Sequence, residues 1–185
     1  MLKNIRVVLV LLFICGMAYP LLITGLSQVL MPAQAEGSLI KNDKGQMIGS
    51  ELIGQSFEGP GYFHGRISSI SYDAAGSGSL NYSQSNEEMI KRTEKEMAGF
   101  LKENPSIKKE EIPSDLMTNS GSGLDPNISL KGALVQVPRI AKERGLPEKT
   151  VYRLVDDQTE NRSFGIFGVP HINVLKLNIA LDEVK

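Results

Sequence analysis

The hydrophobic pattern divides the chain before any motif is considered. From Val7 to Leu30 it reads VVLVLLFICGMAYPLLITGLSQVL, 24 residues without a charge, and the next charged side chain is Glu36. At 1.5 Å per residue a helix of that length is about 36 Å long, enough to cross a hydrocarbon core of about 30 Å with some tilt. Lys3 and Arg6 precede the run and no basic residue follows it closely. The positive-inside bias therefore predicts a cytoplasmic tail at 1–6, a transmembrane helix at 7–30, a linker at 31–37 and one extracytoplasmic domain at 38–185. The competing reading is a cleaved signal with Ala33-Gln34-Ala35 as the small-x-small site, but the run exceeds the roughly 7–15 residues of a signal core. Pro20 removes a backbone donor, so a kink is expected near Tyr19-Pro20. Gly16, Ala18 and Gly25 are small enough to let another helix approach closely, although they form no GxxxG motif and a lone anchor with incidental glycines is the alternative reading.

The pattern then becomes that of an exported domain. Ser38-Leu39-Ile40 suits the start of a strand, ended by the turn residues Asn42-Asp43-Lys44-Gly45. Residues 59–66, with Tyr62 and Phe63 among glycines, suit a short strand between tight turns. Residues 71–86, rich in Ser, Gly and Asn, read as a long surface loop. Ser85 with Glu88 has capping-box spacing, and Met89, Ile90, Thr93, Met97, Phe100 and Leu101 recur at helical intervals up to Asn104-Pro105. A second helix is expected from an N-cap at Ser129 to Gly145, bent at Pro138, and a third from Pro147 to Asp156-Asp157. Residues 171–181 read as a buried strand with a bulge at Val174-Leu175. Segregated helices with few strands predict an α+β class, with a mixed α/β sheet as the alternative.

Composition narrows the function. The chain has 185 residues, 20 Lys+Arg and 21 Asp+Glu. Removing Lys3 and Arg6 leaves the exported part with 18 basic against 21 acidic residues, a poor match to a nucleic-acid polyelectrolyte. A single cysteine, Cys15, excludes an internal disulfide framework and every multi-cysteine metal site. His64 and His171 belong to no HxxxH or HExxH pattern. There is no P-loop, no GxGxxG after a strand and no GxSxG elbow.

Two stretches keep other functions open. Arg139 to Leu154 resembles a helix-turn-helix, the basis for an alternative as a membrane-tethered regulator, although Asp156 and Asp157 would face phosphate. Ser120-Gly121-Ser122-Gly123 could expose a nucleophile, as in a secreted hydrolase, but neither histidine is placed by sequence to act as its base. The same loop could offer backbone N–H groups to an anion through Gly121 to Gly123, while Asp125 could attract a cation. The plainer reading is a tight turn fixed by Asp125-Pro126 ahead of the Ser129 cap.

Five segments in order carry a resemblance. Tyr19-Pro20-Leu21-Leu22-Ile23-Thr24-Gly25, Gly54-Gln55-Ser56-Phe57, Tyr62-Phe63-His64-Gly65-Arg66, Ser120-Gly121-Ser122-Gly123-Leu124-Asp125-Pro126 with Ile128-Ser129, and Asn173-Val174-Leu175-Lys176-Leu177-Asn178 resemble KdpC, the small-subunit family of the bacterial Kdp potassium-transporting P-type ATPase. The resemblance implies a single-pass subunit of the bacterial cell membrane, without catalytic residues or a cofactor of its own. It implies assembly with a potassium-conducting subunit (KdpA), an ATP-hydrolysing subunit (KdpB) and a very small subunit (KdpF), in contact with lipid and not with nucleic acid. ATP and potassium would be handled by the complex, and the family's role as a catalytic chaperone would raise the ATP affinity of the pump subunit. Since an exported domain meets no ATP, indirect coupling through the conducting subunit is the expected route. The candidate residues are then Tyr19, Pro20 and Gly25 in the anchor. In the domain they are Gly121, Ser122, Gly123, Leu124, Asp125, Pro126, Asn173 and Asn178, as interface or structural loop.

Overall fold

The computed structural model describes residues 2–42, 44–83 and 85–184. It divides into two units, Met1–Ser50 and Glu51–Lys185, each with its own internal packing.

In the first unit, Leu2–Leu30 is one apolar helical stretch of 29 residues, long enough to cross a membrane. It comprises α1 (Leu2–Phe13), a π-helical segment at Ile14–Ala18 and α2 (Tyr19–Leu30). The irregularity expected near Pro20 takes the form of this wider turn. Pro20 has no N–H and its ring crowds the carbonyl one turn earlier, and the ladder opens just before it, with Tyr19 N–H donating to Ile14 C=O. One further turn, α3 (Pro32–Ala35), precedes an antiparallel hairpin of β1 (Leu39–Lys41) and β2 (Met47–Ser50). Asn42 organises the connection, its side-chain oxygen accepting from Lys44 N at 3.1 Å and Gln46 N at 2.9 Å. Asp43 of the expected turn lies outside the described residues.

The second unit is α+β, with helices around a small two-stranded sheet, as the pattern predicted. Among the described residues 51–86 there is no helix or strand. α4 (Glu87–Glu103) follows, but its cap is not the expected Ser85. Asn86 takes that place, its carboxamide oxygen accepting from Glu88 N at 2.9 Å and Met89 N at 3.1 Å, so one side chain satisfies two of the orphan donors at the helix start. Met97 and Phe100 pack on the core and the helix ends at Asn104. A short 3₁₀ turn at Lys109–Glu111 and α5 (Ser114–Met117) lead to β3 (Asn127–Ser129).

The single bent helix expected from Ser129 is two helices, α6 (Leu130–Leu134) and α7 (Val137–Arg144). Pro138 offers no N–H to the Leu134 carbonyl, so the chain breaks ahead of it and Pro138 lies in the first turn of α7, where its missing donor has no partner to lose. Ser129 does cap α6, accepting from Gly132 N at 2.9 Å. Gly145 ends α7 at φ 65°, and Leu146 N returns to Ala141 C=O at 2.9 Å. α8 (Glu148–Asp157) begins after Pro147 as anticipated.

The strand expected over residues 171–181 is a correction. Only β4 (His171–Asn173) is extended, pairing antiparallel with β3 so that Ile128 faces Ile172, and the chain then turns into α9 (Val174–Glu183). Asn173 starts the helix by accepting from Lys176 N. Val174, Leu177, Asn178 and Leu181 are all buried, spaced i, i+3, i+4 and i+7, so what resembled a bulge is a change of period from 2 to 3.6. The core includes Phe63, Ile128, Val137, Ile140, Val151, Val155, Ile172, Leu177 and Leu181.

Candidate functional site

The segment around Phe63 has no ladder partner, which corrects the strand expected at 59–66, yet it is held as a strand would be. Buried Asn178, on α9, accepts from Phe63 N at 2.9 Å and donates to Phe63 C=O at 2.9 Å. Buried Gln136, in the α6–α7 break, does the same for the next residue, accepting from His64 N at 2.8 Å and donating to His64 C=O at 3.1 Å. Two carboxamides thus replace a neighbouring strand, because a buried backbone polar group must find some partner. Arg139, also buried, fans across the same region. It donates to Asn104 Oδ1 at 3.0 Å, Tyr62 C=O at 3.0 Å, Gln136 Oε1 at 2.9 Å and the Pro60 carbonyl. Burial lowers its pKa from the usual guanidinium value, with Glu103 and Glu143 opposing the shift. Arg144 closes the end of the segment, stacked 4.6 Å from the Tyr62 ring centre, bonded to Gly61 C=O at 2.7 Å and paired with Asp182 at 2.7 Å.

The second cluster forms where Gly54, Arg66 and the 120–126 loop meet. Gly54 N donates to Leu124 C=O at 2.7 Å, and a Cβ on Gly54 would lie 2.6 Å from Asp125 O, so only glycine allows this approach. Asp125 accepts from Arg66 Nη1 at 2.9 Å and from Asn127 N at 3.0 Å, combining an ion pair with an Asx turn. Ser68 ties the 68–72 turn to the loop, donating to Gly123 C=O at 2.7 Å and accepting from Tyr72 N at 2.9 Å. The Tyr72 hydroxyl donates to Arg66 C=O, and burial raises its pKa, with Arg66 opposing and Asp125 assisting. Asn173 adds a third tie, donating to Glu51 C=O at 2.8 Å, while Val174 N reaches Pro126 C=O at 2.9 Å.

This arrangement uses most of its polar groups internally, the buried Arg66 Nε being an exception. Leu124 N donates to Ser122 Oγ at 3.1 Å and Gly78 N to Ser122 C=O at 2.8 Å, so Ser122 joins two loops. Ser120 is buried. The histidines have other partners: His64 Nε2 lies 3.0 Å from Gly59 C=O and its Nδ1 3.5 Å from Glu103, while His171 Nδ1 lies 3.0 Å from Val169 C=O and its Nε2 3.6 Å from Glu160. Burial lowers the His64 pKa, reinforced by Arg139 and opposed by Gly59 C=O and Glu103. Among the described residues no three His, Cys, Asp or Glu side chains gather at metal-binding range. The outer edge of β3 is also closed, since Asp125 Oδ1 receives Asn127 N and Asp115 Oδ2 receives Ser129 N at 2.7 Å.

Comparison with known proteins decides the family. The family model described as KdpC: K+-transporting ATPase, c chain, matches residues 1–183. The chain belongs to the KdpC family. Relatives named Potassium-transporting ATPase KdpC subunit occur in Bacillus anthracis, Bacillus cereus (strain AH820) and Bacillus thuringiensis subsp. konkukian (strain 97-27). Each is 52% identical over 180 residues, covering 97% of this chain and 93% of the relative.

Within this KdpC-family chain the sequence-selected residues fall into three places. Tyr19, Pro20 and Gly25 are exposed on the apolar helix, and Gly25 has open space where a Cβ would stand. Residues 121–126 and Asn173 belong to the cluster around Gly54, while Asn178 belongs to the clamp on Phe63. Sequence reasoning missed Gln136 and Arg139, and no local pattern marks them: Gln136 lies just ahead of α7, and Arg139 falls opposite the stripe of Val137, Ile140 and Ala141, buried by the chain it bonds. The helix-turn-helix reading gains no support. The α7–α8 stripe of Val137, Ile140, Val151 and Val155 is core, Arg139 is buried in the clamp, and Asp156 and Asp157 are exposed.

Proposed function

We propose that the chain is the single-span, non-catalytic small subunit of a bacterial ATP-driven potassium uptake complex, required for its assembly and stability. The observation that carries this reading is the family match across residues 1–183, which takes in both the apolar helix and the folded unit. The fold agrees with a docking role: its motif residues tie loops together, leaving the outer surface of a rigid scaffold for partners. Lys3 and Arg6 favour a cytoplasmic amino terminus and an extracytoplasmic folded unit. The partners are the conducting subunit KdpA, the ATP-hydrolysing subunit KdpB and the small subunit KdpF, the last two reached through the membrane.

Any effect on ATP affinity is then conformational. A domain outside the cytoplasm biases the pump only by binding one state of the conducting subunit better than another, and a differential affinity of about 1.4 kcal/mol shifts that equilibrium tenfold. Detergent extraction of the full-length chain from cells producing all four subunits tests the proposal. A stoichiometric many-span partner and potassium-stimulated ATP hydrolysis should copurify, with a higher KM for ATP when the chain is left out. Recovery of the chain alone overturns the assembly role, and an unchanged KM overturns the coupling.

A further inference from the structure

Between α8 and β4 the chain projects a tight hairpin whose tip is Ser163-Phe164-Gly165-Ile166-Phe167-Gly168. Ser163 and Phe167 bond each other in both directions, at 2.9 and 3.0 Å, while Gly165 N donates to Arg162 C=O and Ile166 N to Ser163 C=O. Phe164 is held at φ 53°, a left-handed conformation unusual for a bulky residue, between a cross-bonded pair and Gly165 at φ 73°. This strained and internally bonded loop turns its side chains away from the core. Phe164 is 94% exposed, Ile166 73%, Phe167 67% and Val169 69%. The other large exposed apolar residues of this unit, Leu52, Leu80, Ile90 and Tyr152, are scattered along the sequence. Scattered residues need no explanation, but four within six positions on a preformed turn mark a contact site.

We infer that this tip is the docking element through which the folded unit inserts side chains into an apolar recess on the extracytoplasmic surface of an integral-membrane partner subunit. The surroundings choose protein over lipid. Two grooves flank the hairpin, of about 300 and 210 Å³, and both include Asp125, Asn127, Val169 and His171. Asp115 and Arg66 line the second, where Arg66 pairs with Asp125 at 2.9 Å, and Glu160 lies beside His171 with Lys176 Nζ 3.3 Å away, so each flanking cation is matched by a carboxylate. Within the hairpin itself Arg162 is the single basic residue. A headgroup surface favours an unpaired basic fringe around so small an apolar insertion, whereas an apolar centre bordered by mutually paired charges, carboxamides and an imidazole is the anatomy of a protein interface. Since β3's outer edge is capped by Asp115 and Asp125, the partner engages side chains and grooves and does not add a strand.

This inference rests on the assembly role proposed above, and the experiment separates the two. The photo-crosslinker p-benzoylphenylalanine is placed at Phe167 or, as a control, at Tyr152 of the full-length chain, and membranes containing the whole complex are irradiated. A crosslink from position 167 to the many-span subunit, at least about tenfold stronger than from 152, is expected. Phe164→Ser with Phe167→Ser should lower recovery of that subunit at least about tenfold while leaving the unfolding midpoint unchanged, because both rings are exposed. Crosslinking only to lipid or to a second copy overturns the inference, as does undiminished recovery with the double variant. If the unaltered chain recovers no many-span subunit, the assembly role falls too; if it does but position 167 gives no crosslink, only the docking tip falls.

Discussion

Asn178→Ala isolates the clamp on Phe63. The side chain is buried, and its two hydrogen bonds of 2.9 Å satisfy both polar groups of a buried residue's backbone. Removing it strands one N–H and one C=O. At about 1–3 kcal/mol for each unmet buried group, the loss is about 2–6 kcal/mol, a large part of the roughly 5–15 kcal/mol that holds a domain folded. For a urea slope near 2 kcal/mol/M the midpoint should fall by about 1–3 M. The measurement is urea unfolding of the full-length chain in detergent, followed by near-ultraviolet circular dichroism, together with hydrogen exchange of residues 59–66. Asn178→Asp supplies a second axis: it retains an acceptor for Phe63 N, loses the donor to Phe63 C=O and puts a carboxyl group where no solvent reaches. That variant should be less destabilised at pH 4 than at pH 8, since burial opposes ionisation. A loss below about 1 kcal/mol for Asn178→Ala, or unaltered exchange at Phe63, would refute the idea that the carboxamide substitutes for a strand.

Four further outcomes follow from the same geometry. Gly54→Ala should cost about 1–3 kcal/mol, because the new Cβ meets Asp125 O at 2.6 Å; an unchanged unfolding midpoint contradicts the close approach. Asp125→Asn keeps an acceptor for Asn127 N but gives up the Arg66 ion pair, so Asp125→Ala should be less stable than Asp125→Asn by about 1 kcal/mol; equal losses of apparent potassium affinity with unchanged unfolding would instead place Asp125 on an ion path. His64 is held neutral by burial, and since its folded pKa lies below the ordinary 6.5, its contribution is complete above pH 6.5 and is lost as pH falls towards the depressed value; His64→Gln should flatten that part of the unfolding profile, and an unaltered profile rejects the assignment. Pro20→Leu or Gly25→Leu should weaken detergent copurification of partner subunits while leaving the unfolding of residues 51–184 unchanged, and full recovery would argue against close helix packing.

Legibility in the sequence followed how local the cause was. α4, α8 and the end of α7 were readable because Glu87-Glu88, Pro147 and Gly145 act within a turn of themselves. The 171–181 segment misled because an eleven-residue apolar run has too few turns to separate period 2 from period 3.6, and the deciding fact is Asn173 acting as a cap. The Phe63 segment misled differently. Its residues form no strand, and the partners that satisfy their backbone are side chains 72 and 115 positions away, so no local pattern announces a carboxamide that will serve in a strand's place.

The candidate site was legible as a set of segments and illegible as a geometry. Residues 54, 66, 120–126 and 173–178 stand out in the sequence, yet only the fold shows that Gly54 N meets Leu124 C=O, Arg66 meets Asp125 and Asn173 meets Glu51. Those contacts satisfy donors and acceptors that burial would otherwise leave unpaired, so the selected polar residues are engaged before any partner arrives. Recognition then falls to side chains that hold nothing in the isolated unit. Phe164, Ile166, Phe167 and Val169 are such residues: they contribute little to the core, and Phe164 lies in a strained backbone region. A conformation of that kind persists where the surrounding bonds over-determine it, as the Ser163–Phe167 pair does here, and its presentation of apolar side chains to water becomes favourable only when a second surface removes them from it.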